Sequence, residues 1–414
     1  MNVEIITIGD ELLIGQVVDT NSSWMGQQLG KEGFRIAWKT TIGDVENDIV
    51  LAVEAAFKRA DLILMTGGIG PTKDDITKKT LCKLFNTHLV ESPEVLANIN
   101  ELLARRQKAL NELTASQAMV PEGAGIIQNR AGTAPCTWFE RKGKVLVSMP
   151  GVPFEMKWLM ENGVIPRLKQ RFKRDLFISH RSLYVANFTE SALAMHLSGL
   201  EDDLPPYIKL AYLPASGLIR LRLTGEHVDE EVLNCRIDSF FVRLKEALGN
   251  NVVVESDEGV ASVVGKLLSE KELTLCTAES CTGGNIARLI TAIPGASSYF
   301  NGGAVVYSNK LKEQLLGVSP HALEQFGAVS CEVVGEMLAG TTARFGCDCA
   351  IAVSGVAGPG GGTPEKPVGT VWIGAAVRDR SETRLFHLGN NRENNIDKAS
   401  ILALLMLKSL LDKE

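Results

Sequence analysis

Histidine is scarce in this chain, with six in 414 residues, so chemistry that depends on imidazole has few side chains to draw on. The eight cysteines are scattered and none forms a C-x-x-C pair, which removes the paired-cysteine metal motifs. Cys347 and Cys349 open the apolar run CAIAVSG and read as buried free thiols in a reducing cytoplasm. No apolar stretch approaches the roughly 18 residues of a spanning helix. The opening MNVEIITIGDELL has no basic region or cleavage site and reads as a first β-strand, not a signal peptide. A net charge of −6 gives no global reason to bind nucleic acid or an anionic membrane, and neither partner is expected. There is no internal repeat and no low-complexity tract.

What is present is ample core-forming material, 45% apolar against 22% charged, in a chain long enough for two or three domains. Over residues 1–172, VEIITI, FRIAWKTTI and DLILMTGG read as buried strands, each followed by a turn and a helical pattern. That alternation predicts βα units on a largely parallel sheet with helices on both faces. Residues 92–110 carry an amphipathic helical pattern with a cationic second half. Residues 176–252 read as a small α+β module with an acidic solvent face. Residues 255–414 begin with the helix VASVVGKLLSEK, continue with the strand LTLCTA and end on the helix IDKASILALLMLKSLL. The run GVAGPGGGTPEKPVG lies between strand patterns and is a loop within this domain. The fold class is therefore multidomain α/β.

In the third segment, LTLCTAESCTGGNIARLITA describes a buried strand, a tight turn holding Glu279, Ser280, Cys281 and Thr282, then Gly283 and Gly284 before a helix. Ser280 is placed near unpaired N–H groups and the positive end of a helix dipole, where an oxyanion is stabilised. Ser280 and Thr282 also suit plain helix capping. A nucleophilic serine needs a base. His321 and His387 have no motif around them, which weakens a Ser-His-Asp triad. In AVVYSNKLKEQLLGV, Tyr307 stands at a strand end and Lys312 in the first turn of the next helix. Lysine serves as a base only when burial or nearby cations leave it neutral; otherwise Lys312 is a solvated helix lysine like Lys310. Cys281, near a helix start, is a second candidate nucleophile with an expected lowered pKa.

The runs TAESCTGG, YSNKLK with LLGV, GAVS and GVAGPGGGTPEKPVGTV resemble, in order, the CinA C-terminal or PncC family of nicotinamide mononucleotide deamidases. The resemblance implies hydrolysis of an amide to nicotinic acid mononucleotide and ammonia, without a cofactor. It implies Ser280 as nucleophile, Lys312 as base, and Tyr307 and Ser354 as supporting hydroxyls, with Ser354 replacing the family's usual threonine. Glu279, Thr282, Gly283, Gly284, Gly358 and Arg392 fall on its substrate-binding motifs. Cys331 replaces a usual glutamate. Around GNNRENNIDK only Arg392 remains of the usual two arginines, and Asp397 and Lys398 occupy the second position, so Lys398 or another group is expected to grip the phosphate.

In the first segment polar residues gather at strand ends, where open α/β sheets bind ligands. Gly67, Gly68 and Gly70 allow close approach to a phosphate, with Thr72 placed at the next helix start; Asn21 lies in DTN. Asp10, Asp74 and Asp75 are candidate metal ligands. Thr72 and Asp75 equally spell a capping box, and Asp10 and Glu11 equally suit a helix start. GDELL, DTN, GGIGPTKDD and PGVPFEMK together resemble the MoaB/MogA-like three-layer fold of CinA N-terminal domains. That resemblance implies a pyrophosphatase acting on ADP-ribose with Mg2+, Mn2+ or Co2+, or only a pterin or nucleotide binder. Cys136 stands in GTAPC where the family usually has glycine. The middle segment resembles the KH-like module of these proteins but lacks a GXXG clamp, and reads as a spacer or dimerisation element. The leading expectation is a cytoplasmic, homodimeric, bifunctional pyridine-nucleotide salvage enzyme. The competing one is a nucleotide- or pterin-binding regulator linked to competence and recombination.

Overall fold

The computed structural model describes residues 1–72, 75–172 and 176–414. The chain divides into two compact units, residues 1–179 with 226–233, and residues 180–225 with 234–414.

The first unit is built on a six-stranded sheet. Strands Arg35–Ile42, Asn2–Ile8, Leu62–Thr66 and Lys144–Met149 lie side by side in parallel, and Cys136–Arg141 and Gly125–Ile127 extend the edge antiparallel. The three runs expected to be strands are strands, and alternation of side chains sorts them between two faces. Val3 and Ile5 pack with Met25 and Leu29 of helix Thr20–Lys31 and with Met156 and Leu159 of helix Pro153–Leu159. Ile6 and Ile8 face Ile49 and Val53 of helix Glu46–Arg59 and Leu81 of helix Thr77–Leu84. Glu4 is wholly buried on the interior strand Asn2–Ile8. A buried carboxylate is tolerated only when paired, and Arg59 Nη2 donates to it at 2.6 Å and Thr40 Oγ1 at 2.7 Å. The amphipathic pattern after residue 92 is helix Pro93–Arg105, capped by Ser92.

In the second unit, the middle segment forms a four-stranded sheet in the order Ile208–Ala215, Leu218–His227, Phe177–Val185, Val252–Val254. Helices Glu190–Asp202 and Glu230–Leu248 cover it through Leu197, Ile237 and Leu244. Leu218, at the hairpin turn, leaves that core and packs instead with Val260, Leu275 and Leu404 of the following domain.

The C-terminal domain has a five-stranded sheet in the order Phe300–Val305, Leu275–Glu279, Cys349–Gly355, Thr370–Val377, Arg380–His387. The first three strands are parallel and the last two antiparallel. On one face Leu275, Ile351, Val353 and Ile373 meet helices Val260–Glu270, Asn285–Thr291 and Arg392–Leu411. The other face is lined by small side chains, Cys276, Ala278, Ala350 and Ala352. They let helix Cys331–Phe345 approach closely through Val334, Met337 and Leu338. Cys347 and Cys349 are buried free thiols. Among the described residues no helix is long and apolar enough to cross a membrane.

Candidate active site

Strand Leu275–Glu279, between Phe300–Val305 and Cys349–Gly355, ends at the turn that carries Ser280. The Ser280 N–H donates to the Val353 carbonyl at 3.0 Å, which extends the strand pairing to the serine itself. The chain then reverses, Gly283 N–H donating to the Ser280 carbonyl at 3.1 Å. Gly283 and Gly284 have φ of 61° and 95°, a left-handed path that side chains with a Cβ rarely take. Both glycines are thus required by the turn that carries the serine, which is itself buried.

From the neighbouring strand, Ser308 caps helix Asn309–Leu316, and Lys312 points back beneath the Ser280 turn. Lys312 is 1% exposed and is among the largest fully buried side chains of the protein. Its Nζ lies 3.1 Å from Ser280 Oγ, 2.9 Å from the Val306 carbonyl and 3.4 Å from the Tyr307 carbonyl. None of these three oxygens is anionic. Burial lowers the Lys312 pKa below its ordinary value, with the Cys281 thiol acting weakly in the opposite direction. As an amine, Lys312 can donate its two N–H groups to the carbonyls and turn its lone pair to the Ser280 hydroxyl. That is the arrangement of a general base beside its nucleophile.

Other expected site residues are distributed around this pair. Arg392 Nη2 donates to Tyr307 Oη at 2.9 Å, and Arg392 Nη1 to the Gly358 carbonyl at 2.6 Å. Tyr307, Gly358 and Arg392 are therefore brought together, with Tyr307 57% exposed. Ser354 is buried and donates to the Ala328 carbonyl at 2.6 Å, so its hydroxyl braces the loop after helix Pro320–Phe326. Thr282 Oγ1, two residues after Ser280, is buried without a hydrogen-bond partner.

Three expectations for this domain are corrected. Glu279 does not face a substrate: its carboxylate accepts from Gly284 N–H at 3.0 Å, Ile286 N–H at 3.1 Å and Ala287 N–H at 2.8 Å. It fills the positive end of helix Asn285–Thr291, so that dipole is not open to an oxyanion. Cys281 does not have a lowered pKa; burial pushes the thiol up to about 12, and it stays protonated. Lys398 does not reach for a phosphate, because its stem packs against Gly217 of the middle hairpin. Asp397 is structural, accepting from Asn285 Nδ2 at 3.2 Å.

In the first unit, Thr7, Glu11, Val18, Asn21, Thr66 and Gly151 line a cleft of about 120 Å³ at the C-terminal ends of the parallel strands. Asn21 Nδ2 donates to the Gly151 carbonyl at 2.7 Å, and its Oδ1 is buried without a partner. Gly67, at φ 111°, passes so close to the Ile8 carbonyl that a Cβ would collide with it. Gly68 meets Thr77 Oγ1 in the same way. These glycines serve strand crossing first. Helix formation resumes only at Thr77, so Thr72 is not at a helix start. Asp75 instead closes its own loop: Oδ1 accepts from Gly70 N–H at 2.6 Å and Oδ2 from Thr72 N–H at 2.9 Å and the Thr72 hydroxyl. Asp74 lies outside the described residues. Asp10 and Asp44 each accept the other's backbone N–H, at 3.2 and 3.3 Å. Among the described residues no three carboxylate, histidine or cysteine groups converge as a metal site.

Sequence reasoning passed over Asp44, Asn285 and Asn395. A signal for Asp44 exists: the tetrapeptide TIGD ends both neighbouring strands, at residues 7–10 and 41–44, in matched register.

Such a chain is, by fold and site, a multidomain α/β protein with a buried serine–lysine pair. Its residues 257–411 match the model of the CinA C-terminal domain, and residues 4–170 that of the "Probable molybdopterin binding domain". A CinA-like protein of Cytophaga hutchinsonii is 42% identical over 404 residues, 98% of this chain and 96% of its own. A CinA-like protein of Flavobacterium psychrophilum is 41% identical over 409 residues, 98% of each chain. The solved structure of competence/damage inducible protein CihA from Agrobacterium tumefaciens covers 37% of this chain and 94% of its own, at 37% identity and a TM-score of 0.37. The chain belongs to the CinA family.

Proposed function

We propose that the C-terminal domain hydrolyses the carboxamide of nicotinamide mononucleotide, with Ser280 as nucleophile and Lys312 as general base. The observation that carries this reading is the buried Lys312 amine 3.1 Å from Ser280 Oγ with no anion to hold its proton. Ser280 Oγ attacks the amide carbon while its proton passes to Lys312 Nζ. The carbonyl π-bond opens, and the N–H groups of Cys281 and Thr282, which follow Ser280 in the turn, would receive the oxyanion, since Glu279 occupies those beyond. Collapse of the tetrahedral species breaks the C–N bond, and the leaving nitrogen takes the proton from Lys312 to depart as ammonia. Lys312 then takes a proton from a water that attacks the Ser280 ester; the C–Oγ bond breaks, Oγ recovers that proton from Lys312, and the nicotinate is released. Arg392 and Tyr307 stand at the exposed side of the site, suited to the substrate's phosphate and ring.

For the first unit, the cleft at the strand ends and the unpartnered Asn21 Oδ1 favour binding of a nucleotide or pterin over hydrolysis. ADP-ribose turnover dependent on Mg2+, Mn2+ or Co2+ would restore the pyrophosphatase reading.

The deciding experiment is ammonia release from nicotinamide mononucleotide by the full chain and by Ser280→Ala. Release by the wild type with a loss of about 10³-fold or more in the variant supports the reading. Equal rates remove Ser280 as nucleophile.

A further inference from the structure

Asn395 is 1% exposed on helix Arg392–Leu411, and nothing in the proposed chemistry uses it. Asparagine is a poor helix former, and a buried amide is costly unless its hydrogen bonds are made. Here they are. Asn395 Nδ2 donates to the Ala357 carbonyl at 3.0 Å and to the Gly389 carbonyl at 2.8 Å, while Oδ1 accepts from Gly389 N–H at 2.9 Å. One side chain therefore ties two loops to the helix: the glycine-rich loop after strand Cys349–Gly355, and the loop that enters the helix itself.

Those loops hold Arg392 from both sides. The residue after Ala357 is Gly358, whose carbonyl accepts from Arg392 Nη1 at 2.6 Å. Arg392 is the first residue of the helix, three before Asn395, so the two lie on one face. A cation in the first turn opposes the helix dipole, and Arg392 is retained there by the Gly358 carbonyl and the Tyr307 hydroxyl. Release of Ala357 by loss of the Asn395 amide would let the Gly358 carbonyl drift and free the guanidinium. The guanidinium would then sample rotamers away from Tyr307.

We propose that Asn395 is a positioning residue: it fixes the Ala357–Gly358 loop so that Arg392 meets the substrate in one orientation. It does not touch Ser280 or Lys312, so the effect belongs to substrate capture and not to the chemical step. This inference rests on the amide-hydrolysis reading above for its kinetic expression, but the loop restraint is independent of it.

The test uses the full chain, with wild type, Asn395→Ala, Arg392→Ala and the double variant assayed on nicotinamide mononucleotide, folding being checked by circular dichroism. Expected is a rise in KM of about tenfold for Asn395→Ala with kcat changed by less than about threefold. The double variant should be no worse than Arg392→Ala, because the two residues act as one unit. A folded Asn395→Ala protein with unchanged KM overturns the inference, and so does a double variant showing the sum of the two losses. If the alanine variant does not fold, Asn395→Asp retains the acceptor for Gly389 N–H, weakens the donations, and is read by the same KM and kcat split. If wild type releases no ammonia, the substrate reading has failed. Hydrogen exchange then decides: faster exchange over 355–369 in Asn395→Ala but not in Arg392→Ala supports the restraint, and unchanged exchange overturns it.

Discussion

Each unit of this protein buries a lysine close behind a strand-end turn, and the two differ in what the amine faces. Lys312 is surrounded by two carbonyls and the Ser280 hydroxyl. Lys78, on helix Thr77–Leu84, has Nζ 3.2 Å from the Met119 carbonyl, 3.4 Å from the Gln117 carbonyl and 3.5 Å from Gln117 Oε1. Burial depresses both pKa values, that of Lys78 to about 8, with Asp75 pulling the other way. A depressed lysine is therefore not by itself a base. Lys78 is held by the Gln117 and Met119 carbonyls and the Gln117 side chain, and so ties residues 117–119 to helix Thr77–Leu84. Of the hydrogen-bond partners of the two amines, only the Ser280 hydroxyl beside Lys312 has a proton to surrender in the chemistry proposed.

That difference is most sharply tested by Lys312→Met. The expected loss in kcat is about 10³-fold or more, with Ser280→Ala/Lys312→Met no slower than either single variant, since nucleophile and base act together. Additive losses in the double variant would separate them. The next effect is on pH. Lys312 must be neutral to act, so kcat/KM should climb about tenfold per pH unit below its pKa and level off above it. The inflexion should fall below the ordinary lysine value of 10.5, because burial disfavours the ammonium form. A rate independent of pH from 6 to 10 would exclude Lys312 as base.

Much of this was readable before any coordinates. Short apolar runs closed by glycine turns place the strands, and the order of motifs in the third segment points to Ser280, Lys312, Tyr307 and Arg392. Glu279 was misread for a reason the strand period exposes. Leu275, Thr277 and Glu279 share one face and Cys276, Ala278 and Ser280 the other, so the carboxylate beside the nucleophile faces away from it. Its neighbour Cys281 was misread because helix-start electrostatics lose to burial when a thiol is wholly enclosed. Asn395 was beyond reach, since its partners Ala357 and Gly389 come from loops that only the fold brings together.

The Glu279 assignment predicts a loss of stability before a loss of catalysis. Glu279→Gln keeps one acceptor oxygen but loses the charge that caps the helix, an expected cost of about 1–3 kcal/mol in denaturant unfolding. KM for nicotinamide mononucleotide should stay within about twofold, since no substrate contact is removed. A KM raised tenfold in a protein of unchanged stability would return Glu279 to the binding site.

The smallest effect concerns the other lysine, and it is where the comparison between the two amines can fail. Lys78→Met should leave ammonia release unaltered while unfolding more easily by about 1–2 kcal/mol at pH 10, because the Gln117 and Met119 carbonyls lose their donor. The difference should depend on pH in a stated direction. The folded pKa of Lys78 lies near 8 and the unfolded one near 10.5, so the unfolded state binds more protons between them. Wild-type stability from this group is fully present above about 10.5 and is lost as pH falls through about 8. Raising the pH from 7 to 10 should therefore move the balance toward wild type and away from Lys78→Met. A stability difference that stays flat over that range would mean Lys78 is not depressed by burial, and the two lysines would then differ in environment as well as in role.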